Sequence, residues 1–512
     1  IKTITLLTFD YRKSLYKQYI TWGADAPFYT PYTANQMVTY RIQLDRTEPF
    51  VTYGYLAIQR IEFGEIAGVS GGLRSDYSSA FGRGSKAFTF GRGDAYLRLS
   101  SFNFWQDSKI GSIITEFKLR SALGQAGIQP EPFDRYLYLN TANLGSNVAF
   151  TLPTLSANPD LNVEVSTEYE VGTDLTIKAL KGSWLSNINF SATYWKRTTD
   201  NAIYDIDAAP SSGSGRQKDN AFGLASNGLQ ASLNVNVFKG KKLTWDFTTN
   251  FGKQTSEITS VKGGTEIVVL SNAGSSNYVL KPGEKIGQLY GNLLINAVDQ
   301  VNPATGIPYL PKASQSNYVV ASNGWVVDKA TKQPFVTPDK VSFGDPNPKF
   351  NMSFINDVTV FNNLSFSMQW DWVYGSHLYN QTKQWMYRDG IHHDYTKPIT
   401  IDGQTGAWTA FYRGVYAQVQ ANGTRNYFYE DASFMRLRNL SLAYDFAKLI
   451  NRPFIQRLQL VLLARNIVTF TKYTGMDPEV SSGTSNSAFD RGVDHNTIPN
   501  LKTYQIGLNV GF

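Results

Sequence analysis

The last ten residues read TYQIGLNVGF, Thr503 to Phe512. Tyr504, Ile506, Leu508, Val510 and Phe512 fall on one face of an extended chain, and Thr503, Gln505, Gly507, Asn509 and Gly511 fall on the other. Successive strand residues point to opposite sides, so this alternation predicts a β-strand with one apolar and one polar face. The same period recurs upstream. In Leu364–Tyr374, Leu364, Phe366, Met368, Trp370 and Trp372 oppose Ser365, Ser367, Gln369 and Asp371. It returns in 243–251, in 229–237 and in 163–171. Each segment holds about ten residues, against about 5–6 in strands of soluble proteins. About 9–11 residues cross a bilayer as a tilted barrel strand, apolar outside and polar inside.

Composition points the same way. The 512 residues would make about three soluble domains by length alone. Only 17% are charged and 42% apolar, while 14% are aromatic. Ordinary globular chains carry about 25% charge and 45–50% apolar residues. No run approaches the roughly 20 apolar residues of a membrane helix, so a membrane-spanning form must be a closed barrel. There is no cysteine, which excludes disulfide scaffolds and thiolate chemistry. The chain opens at Ile1 without a leader pattern and reads as a processed product or fragment. Net charge is +7, but the Lys and Arg are scattered, so the reading is no nucleic acid and a mixed solvated surface, with acidic lipid or lipopolysaccharide as the partner such a balance would favour.

Short and long connections alternate. FKGKK (238–242) and FNN (361–363) are short, ALKGSW (179–184) and 447–456 somewhat longer. Long links span about 127–160, 199–220, 257–285, 379–430 and 472–501. Outer-membrane barrels have short periplasmic turns and long extracellular loops. The pattern gives roughly 14 strands. Parity requires one more strand between a strand near 286–298 and one at 349–360, and Asn317 to Val327 is the candidate. Tyr53, Tyr55, Tyr194, Trp195, Trp370, Trp372, Tyr374, Phe470 and Tyr473 sit at strand ends, as interfacial girdles require. The strand-like opening ITLLTF (4–9) is expected to be a cut through a larger barrel.

Catalytic patterns are missing. His392, His393 and Asp394 are adjacent, but no spaced ligand set accompanies them, and a polar loop is the simpler reading. Glu164, Glu168 and Glu170 share a strand face without a partner carboxylate to complete a glycosidase pair. Asp299, Asn302 and Thr305 do not form an EF-hand loop. The Gly- and Arg-rich 82–93 stretch lacks the helix that a phosphate cradle needs. The expectation is a non-enzyme without cofactor or metal.

Three C-terminal stretches, EDASFMRLRNLSLAYDF (430–446), LQLVLLARNIVTFTKYTGMDPEV (458–480) and IPNLKTYQIGLNVGF (498–512), resemble the SusC/RagA-type TonB-dependent outer-membrane transporters of the Bacteroidetes. GDPNPKFNMSFIND (344–357), GSHLYNQT (375–382), GGLRSDYSSAFG (71–82), LRSALGQAG (119–127) and YEVGTDL (169–175) follow in family order. The resemblance implies an all-β transmembrane antiparallel β-barrel. Residues 1–512 would be the C-terminal portion of a 22-stranded barrel whose plug domain is absent from this chain. It implies a nutrient importer of the cell outer membrane that takes up glycan or peptide. A SusD-like surface lipoprotein would be one partner, and TonB another, through a plug and TonB-box not in this chain. Phe512 resembles the C-terminal aromatic signal of barrel assembly. Trp385, Tyr387, Trp408 and Tyr412 on the long loops are the expected substrate-binding residues. A SusC-like barrel acting as a structural scaffold, or a secreted β-rich glycan-binding adhesin, are the alternatives.

Overall fold

The computed structural model describes residues 1–26, 33–81, 87–145, 147–178, 182–264, 266–270, 277–417, 423–450, 454–481 and 491–512. Residues 82–86 of the Gly- and Arg-rich stretch, and the tips 179–181 and 451–453 of two expected turns, lie outside the described residues. Among the described residues, fourteen strands form one large sheet whose neighbours follow chain order. They are β1 Lys2–Ala24, β2 Thr39–Phe63, β3 Ala67–Ser78, β4 Phe88–Arg98, β5 Ile114–Ile128, β6 Glu164–Ile177 and β7 Trp184–Asp207. Then come β8 Arg216–Lys239, β9 Leu243–Val261, β10 Phe350–Val360, β11 Leu364–Tyr374, β12 Phe434–Asp445, β13 Arg457–Thr471 and β14 Thr503–Gly511. A two-residue strand, Leu155–Ser156, pairs in parallel with the start of β8. The chain divides into two compact units: residues 1–101, 118–171 and 196–225 form the first, and 102–117, 172–195 and 226–512 form the second.

In the second unit the register explains the alternation. One row runs Trp245, Val358, Phe366, Leu442, Leu462, Ile506 across β9 to β14. The adjacent row on the other face runs Asp246, Asp357, Ser367, Ser441, Leu463, Gln505. A slip of one residue would turn every apolar side chain inward, so the pattern fixes the register. On the polar face Asn234 Nδ2 donates to Thr248 Oγ1 at 2.8 Å and Asn439 Nδ2 to Gln369 Oε1 at 3.0 Å. Asn356 falls on the apolar face, and there the Trp245 indole N–H donates to its Oδ1 at 3.2 Å.

Girdle aromatics share the apolar face. Trp370 stacks with Phe470 at 6.2 Å, and Phe350 packs on Trp372 and Tyr374 at 4.9 and 5.3 Å. Tyr473 departs from the expectation: it is buried in a loop, where its hydroxyl donates to Asp494 Oδ2 at 2.7 Å. The parity problem has a different answer from the expected extra strand. β9 pairs directly with β10, and 262–349 is one long insertion. Leu289–Leu294 joins a separate sheet with Ile267–Leu270, Asn277–Leu280 and Val336–Phe343. Tyr318–Val320 and Val326–Asp328 make a small hairpin of their own. Alternation in these segments serves a loop core, not a membrane face.

In the first unit β1 pairs with β2 from Lys2/Glu62 to Ala24/Thr39, with one irregularity at Ile20/Thr21. Pairing of β2 with β3 ends at Thr52/Ser78. The β1–β2 ribbon therefore continues beyond its neighbour over residues 13–24 and 39–51. Phe9 packs on Tyr55 at 5.1 Å and Tyr53 stacks on Tyr77 at 4.7 Å, which marks a girdle at the base of that ribbon.

The two faces of the wall carry opposite tolerances. Leu462→Arg, between Leu442 and Ile506, should cost about 2–4 kcal/mol if it lies at mid-bilayer depth. Ser441→Lys on the polar face should stay within about 0.5 kcal/mol. Thermal loss of heat-modifiable gel migration measures both, and equal effects would refute the assignment of faces.

Candidate functional site: the loop body of the second unit

The described residues of three long connections of the second unit, 262–349, 375–433 and 472–502, pack into one body with its own core. Helix α1, Gln381–Asp389, starts where the Asn380 side chain accepts the Lys383 amide at 2.8 Å, an N-cap bond that satisfies an otherwise orphan donor. It ends at Gly390, whose φ of 70° suits a residue without Cβ. Helix α2, Thr409–Ala417, buries Phe411, Tyr412, Val415 and Tyr416.

Tyr387 of α1 is the centre of this core. Its ring meets Phe428 at 5.3 Å, Tyr412 at 5.7 Å and Tyr427 at 5.8 Å, and none of it is exposed. Its hydroxyl donates to Asp394 Oδ2 at 2.6 Å. A buried tyrosine needs such a partner, because an unpaired O–H in an apolar core costs about 1–3 kcal/mol. Asp394 also receives Lys397 Nζ at 2.6 Å, with Lys383 Nζ at 3.9 Å. Burial works against its charge. The hydrogen bonds from Lys397 and Tyr387, with the charges of His392 and Lys383, overcome that and bring the carboxyl down to about 2. Burial lowers His392 below its ordinary value.

His392, His393 and Asp394 do bring ligand-type atoms within 4.8 Å of one another. The carboxylate is already committed to a lysine and a tyrosine, and the two ammonium groups near it oppose a metal cation. The cluster is a hub of the loop core.

Further polar bonds join the insertions. Asn426 donates to Leu294 O at 2.9 Å and accepts the Leu294 amide at 2.8 Å. Ser322 and Thr400 exchange bonds of 2.9 Å. Lys383 Nζ donates to Glu430 Oε1 at 3.0 Å, and the Thr474 amide to Glu430 Oε2 at 2.9 Å. Below, two arginines of β12 clasp the 472–502 loop. Arg436 is 3% exposed and pairs with Asp477, and its Nη1 reaches Glu479 at 2.7 Å. A bulge between Leu437 and Asn439 leaves Arg438 unpaired in the ladder. It reaches Asp371 at 2.7 Å and Glu479 at 2.8 Å. No carboxylate–arginine pairing is legible in the sequence across 40 residues of separation, although both halves lie in the stretches that carry the family resemblance.

The four expected substrate-binding residues separate into two pairs. Tyr387 and Tyr412 are core residues, 0% and 3% exposed. Trp385 and Trp408 are half-buried. The Trp385 ring lies 4.5 Å from His495, with the Arg388 guanidinium 5.2 Å from its centre. Trp408 donates its indole N–H to Ile399 O at 2.9 Å and has Lys332 Nζ at 5.3 Å over the ring. Phe512 is 80% exposed, beyond the end of β14.

No family model matches the chain. Two TonB-dependent receptors of Formosa agariphila, P3 and P39, are 25% and 26% identical over 86% and 87% of this chain and 43% and 44% of their own. The TonB-dependent receptor SusC of Bacteroides thetaiotaomicron is 23% identical over 86% of this chain and 42% of its own. The RagAB peptide importer in its closed-closed state superposes with a TM-score of 0.72 at 18% identity, over all of this chain and 54% of that one.

The chain is a relative of the SusC/RagA-type TonB-dependent receptors. It spans less than half the length of the curated relatives it matches. Its fold is all-β, of the transmembrane antiparallel barrel class, and its place is the outer membrane. The SusC/RagA-type relatives are receptors and transporters, not enzymes.

Two predictions follow from the charges. His392, lowered below about 6.5, stabilises the loop body fully above that pH and progressively less as pH falls. Asp394 adds stability present above about 4 and lost as pH falls towards about 2. Protease resistance of the loops should therefore fall on acidification in two stages, and Asp394→Asn should remove the second. Arg436→Ala leaves Asp477 buried without its main partner and should cost about 3–5 kcal/mol locally. Limited proteolysis should then cut within 472–502 while the strands stay intact, and unchanged resistance would refute the clasp.

Proposed function

We propose that this chain forms the C-terminal wall and loops of a TonB-dependent outer-membrane importer. The loop body receives nutrient at the extracellular mouth, together with a SusD-like surface lipoprotein. TonB acts through a plug and TonB-box outside these residues. The observation that carries the reading is the pre-organised loop body seated on a wall with one apolar and one polar face. A scaffold would need the wall, but not a loop core of this kind.

The cargo is a glycan or a peptide, the two classes of the resemblance. Half-exposed indoles offer a flat apolar face for stacking, flanked here by Arg388 and Lys332. Trp385 and Trp408 therefore contact cargo, and Tyr387 and Tyr412 hold the helices that present them. The sorted roles give different phenotypes. Trp385→Ala with Trp408→Ala should lower uptake of the cargo at least about fivefold, each stacking contact being worth about 0.5–1.5 kcal/mol, with loop protease resistance unchanged. Tyr387→Ala should instead open the loops to protease, at a cost of about 3–5 kcal/mol. Growth on defined peptides or glycans as the limiting nutrient reads the first. Undiminished uptake in the double tryptophan variant would refute those contacts.

A further inference from the structure

The first unit holds a cavity of about 620 Å³, separate from the loop body of the second. One wall is β2 where it runs on beyond β3, with Leu44, Arg46 and Glu48. The other is the stretch 131–140, with Phe133, Asp134, Tyr136 and Tyr138. Lys218 of β8 lines it as well. The connections 25–38 and 129–163 lie at this end of the wall, and long connections mark the extracellular side.

Hydrogen bonds hold the 131–138 stretch in place. Arg135 donates through Nη1 to Phe81 O at 2.6 Å and through Nε to Pro159 O at 2.8 Å. The Asn158 amide donates to Asp134 O at 2.8 Å. Within this ordered stretch Phe133 has a φ of 71°, the left-handed region that a bulky side chain avoids. Such strain persists only where the surroundings impose it, and it gathers at ligand clamps. The strained ring is not buried. It stays 43% exposed at the cavity, 6.1 Å from the Tyr136 ring, and Tyr138 is 51% exposed. Rings that served only to bury area would not stand open in this way.

The charges around the rings are unequal. Arg46 pairs with Glu48. Lys218 Nζ stands 3.9 Å from Glu131 and 3.8 Å from both Asp134 and Asp205 of β7. Four carboxylates thus surround two cations. The lysine separations exceed a hydrogen bond, so these carboxylates keep acceptor sites for a further donor. Burial raises the Asp134 carboxyl above its ordinary value, and the Lys218 charge and the Glu131 amide only partly oppose this. A second cation beside it would favour the charged form. An anion would meet the excess of negative charge, and a neutral ligand would leave it unanswered. Aromatic faces take an alkyl chain and its cation, and carboxylates take the ammonium hydrogens.

We propose that this cavity binds a ligand carrying primary ammonium groups on an apolar chain, with Glu131 and Asp134 on an ammonium and Phe133, Tyr136 and Tyr138 along the chain. A free oligoamine and a lysine side chain share this chemistry. The inference does not rest on Trp385 or Trp408, and binding to purified protein is read apart from uptake.

The test is isothermal titration calorimetry on the full-length protein in a neutral detergent at low salt. The probes are spermidine, N-acetyl-trilysine amide, the same peptide with its side chains acetylated, and maltotriose. Spermidine, the lysine peptide or both should bind, which identifies the source of the amine, and the two neutral probes should not. Glu131→Gln with Asp134→Asn should weaken the bound amine at least about tenfold. Phe133→Gly, which relieves the left-handed strain, should weaken it roughly threefold while protease resistance of 129–163 holds. Heat-modifiable migration confirms that the variants are folded, and the comparison of charged with acetylated peptide on wild-type protein stands without them. Failure of both amines to bind, equal binding of the acetylated peptide, tighter binding of maltotriose, or unchanged affinity in the folded carboxylate variant would each overturn the proposal. Lost protease resistance with unchanged amine binding in Phe133→Gly would overturn the part given to that ring.

Discussion

Inside a bilayer no water is available to an unpaired amide, and each one left open costs several kcal/mol. Strand pairing is therefore obligatory through the hydrocarbon, and pairing imposes a two-residue period on everything else. Leu462 can face lipid only if Leu463 faces inward. The same constraint lets Ser367 and Ser441 line the polar face directly opposite each other. It also sets how an exception is handled. Asn356 stands on the apolar face, and the neighbouring Trp245 indole meets it there. The wall thus has little freedom in register and considerable freedom in which apolar residue fills each position.

Beyond the bilayer that constraint lapses and a different one takes over. The loops have only small sheets of their own to organise them, and each ordered residue costs about 1–2 kcal/mol of backbone entropy. Tyrosines meet this cost well, because a ring buries large area while its hydroxyl reaches a polar partner. Tyr387 on Asp394 and Tyr473 on Asp494 are two cases. At Asp394 the bonds from Lys397 and Tyr387 outweigh burial and hold the carboxyl below its ordinary range. The body is tied to the wall through Arg436 and Arg438, and only the bulge at Arg438 frees that side chain to reach Asp371 and Glu479 at once.

The wall was legible in the sequence for the reason that the loops were not. Alternation in 364–374 or 503–512 reports a local rule, since each residue's face depends only on its parity. Alternation in the strand near 286–298 obeyed the same rule in the service of another core, so parity of connections misassigned it and called for an extra strand at 317–327. Loop burial depends on contacts across many tens of residues. Nothing near Tyr387 or Tyr412 marks them as interior, while Trp385, two residues from Tyr387 on the same helix, points to a different side. Aromatic residues in the loops read as substrate-binding from sequence alone, and Tyr387 and Tyr412 are core instead. Residue type alone does not separate the aromatics that build the body from those nearer its surface.

That separation bears on how cargo specificity can change. A residue such as Tyr387 touches five other rings, so any substitution there disturbs α1, α2 and the Asp394 hub together. Trp385 and Trp408 are half-buried, and each has a cation over its ring, Arg388 at 5.2 Å and Lys332 at 5.3 Å. In the proposed importer, a change at either indole disturbs less of the core than a change at Tyr387. The polar–aromatic interior is what makes the surface replaceable. A loop set held only by its cargo-binding residues would lose its fold each time its cargo changed.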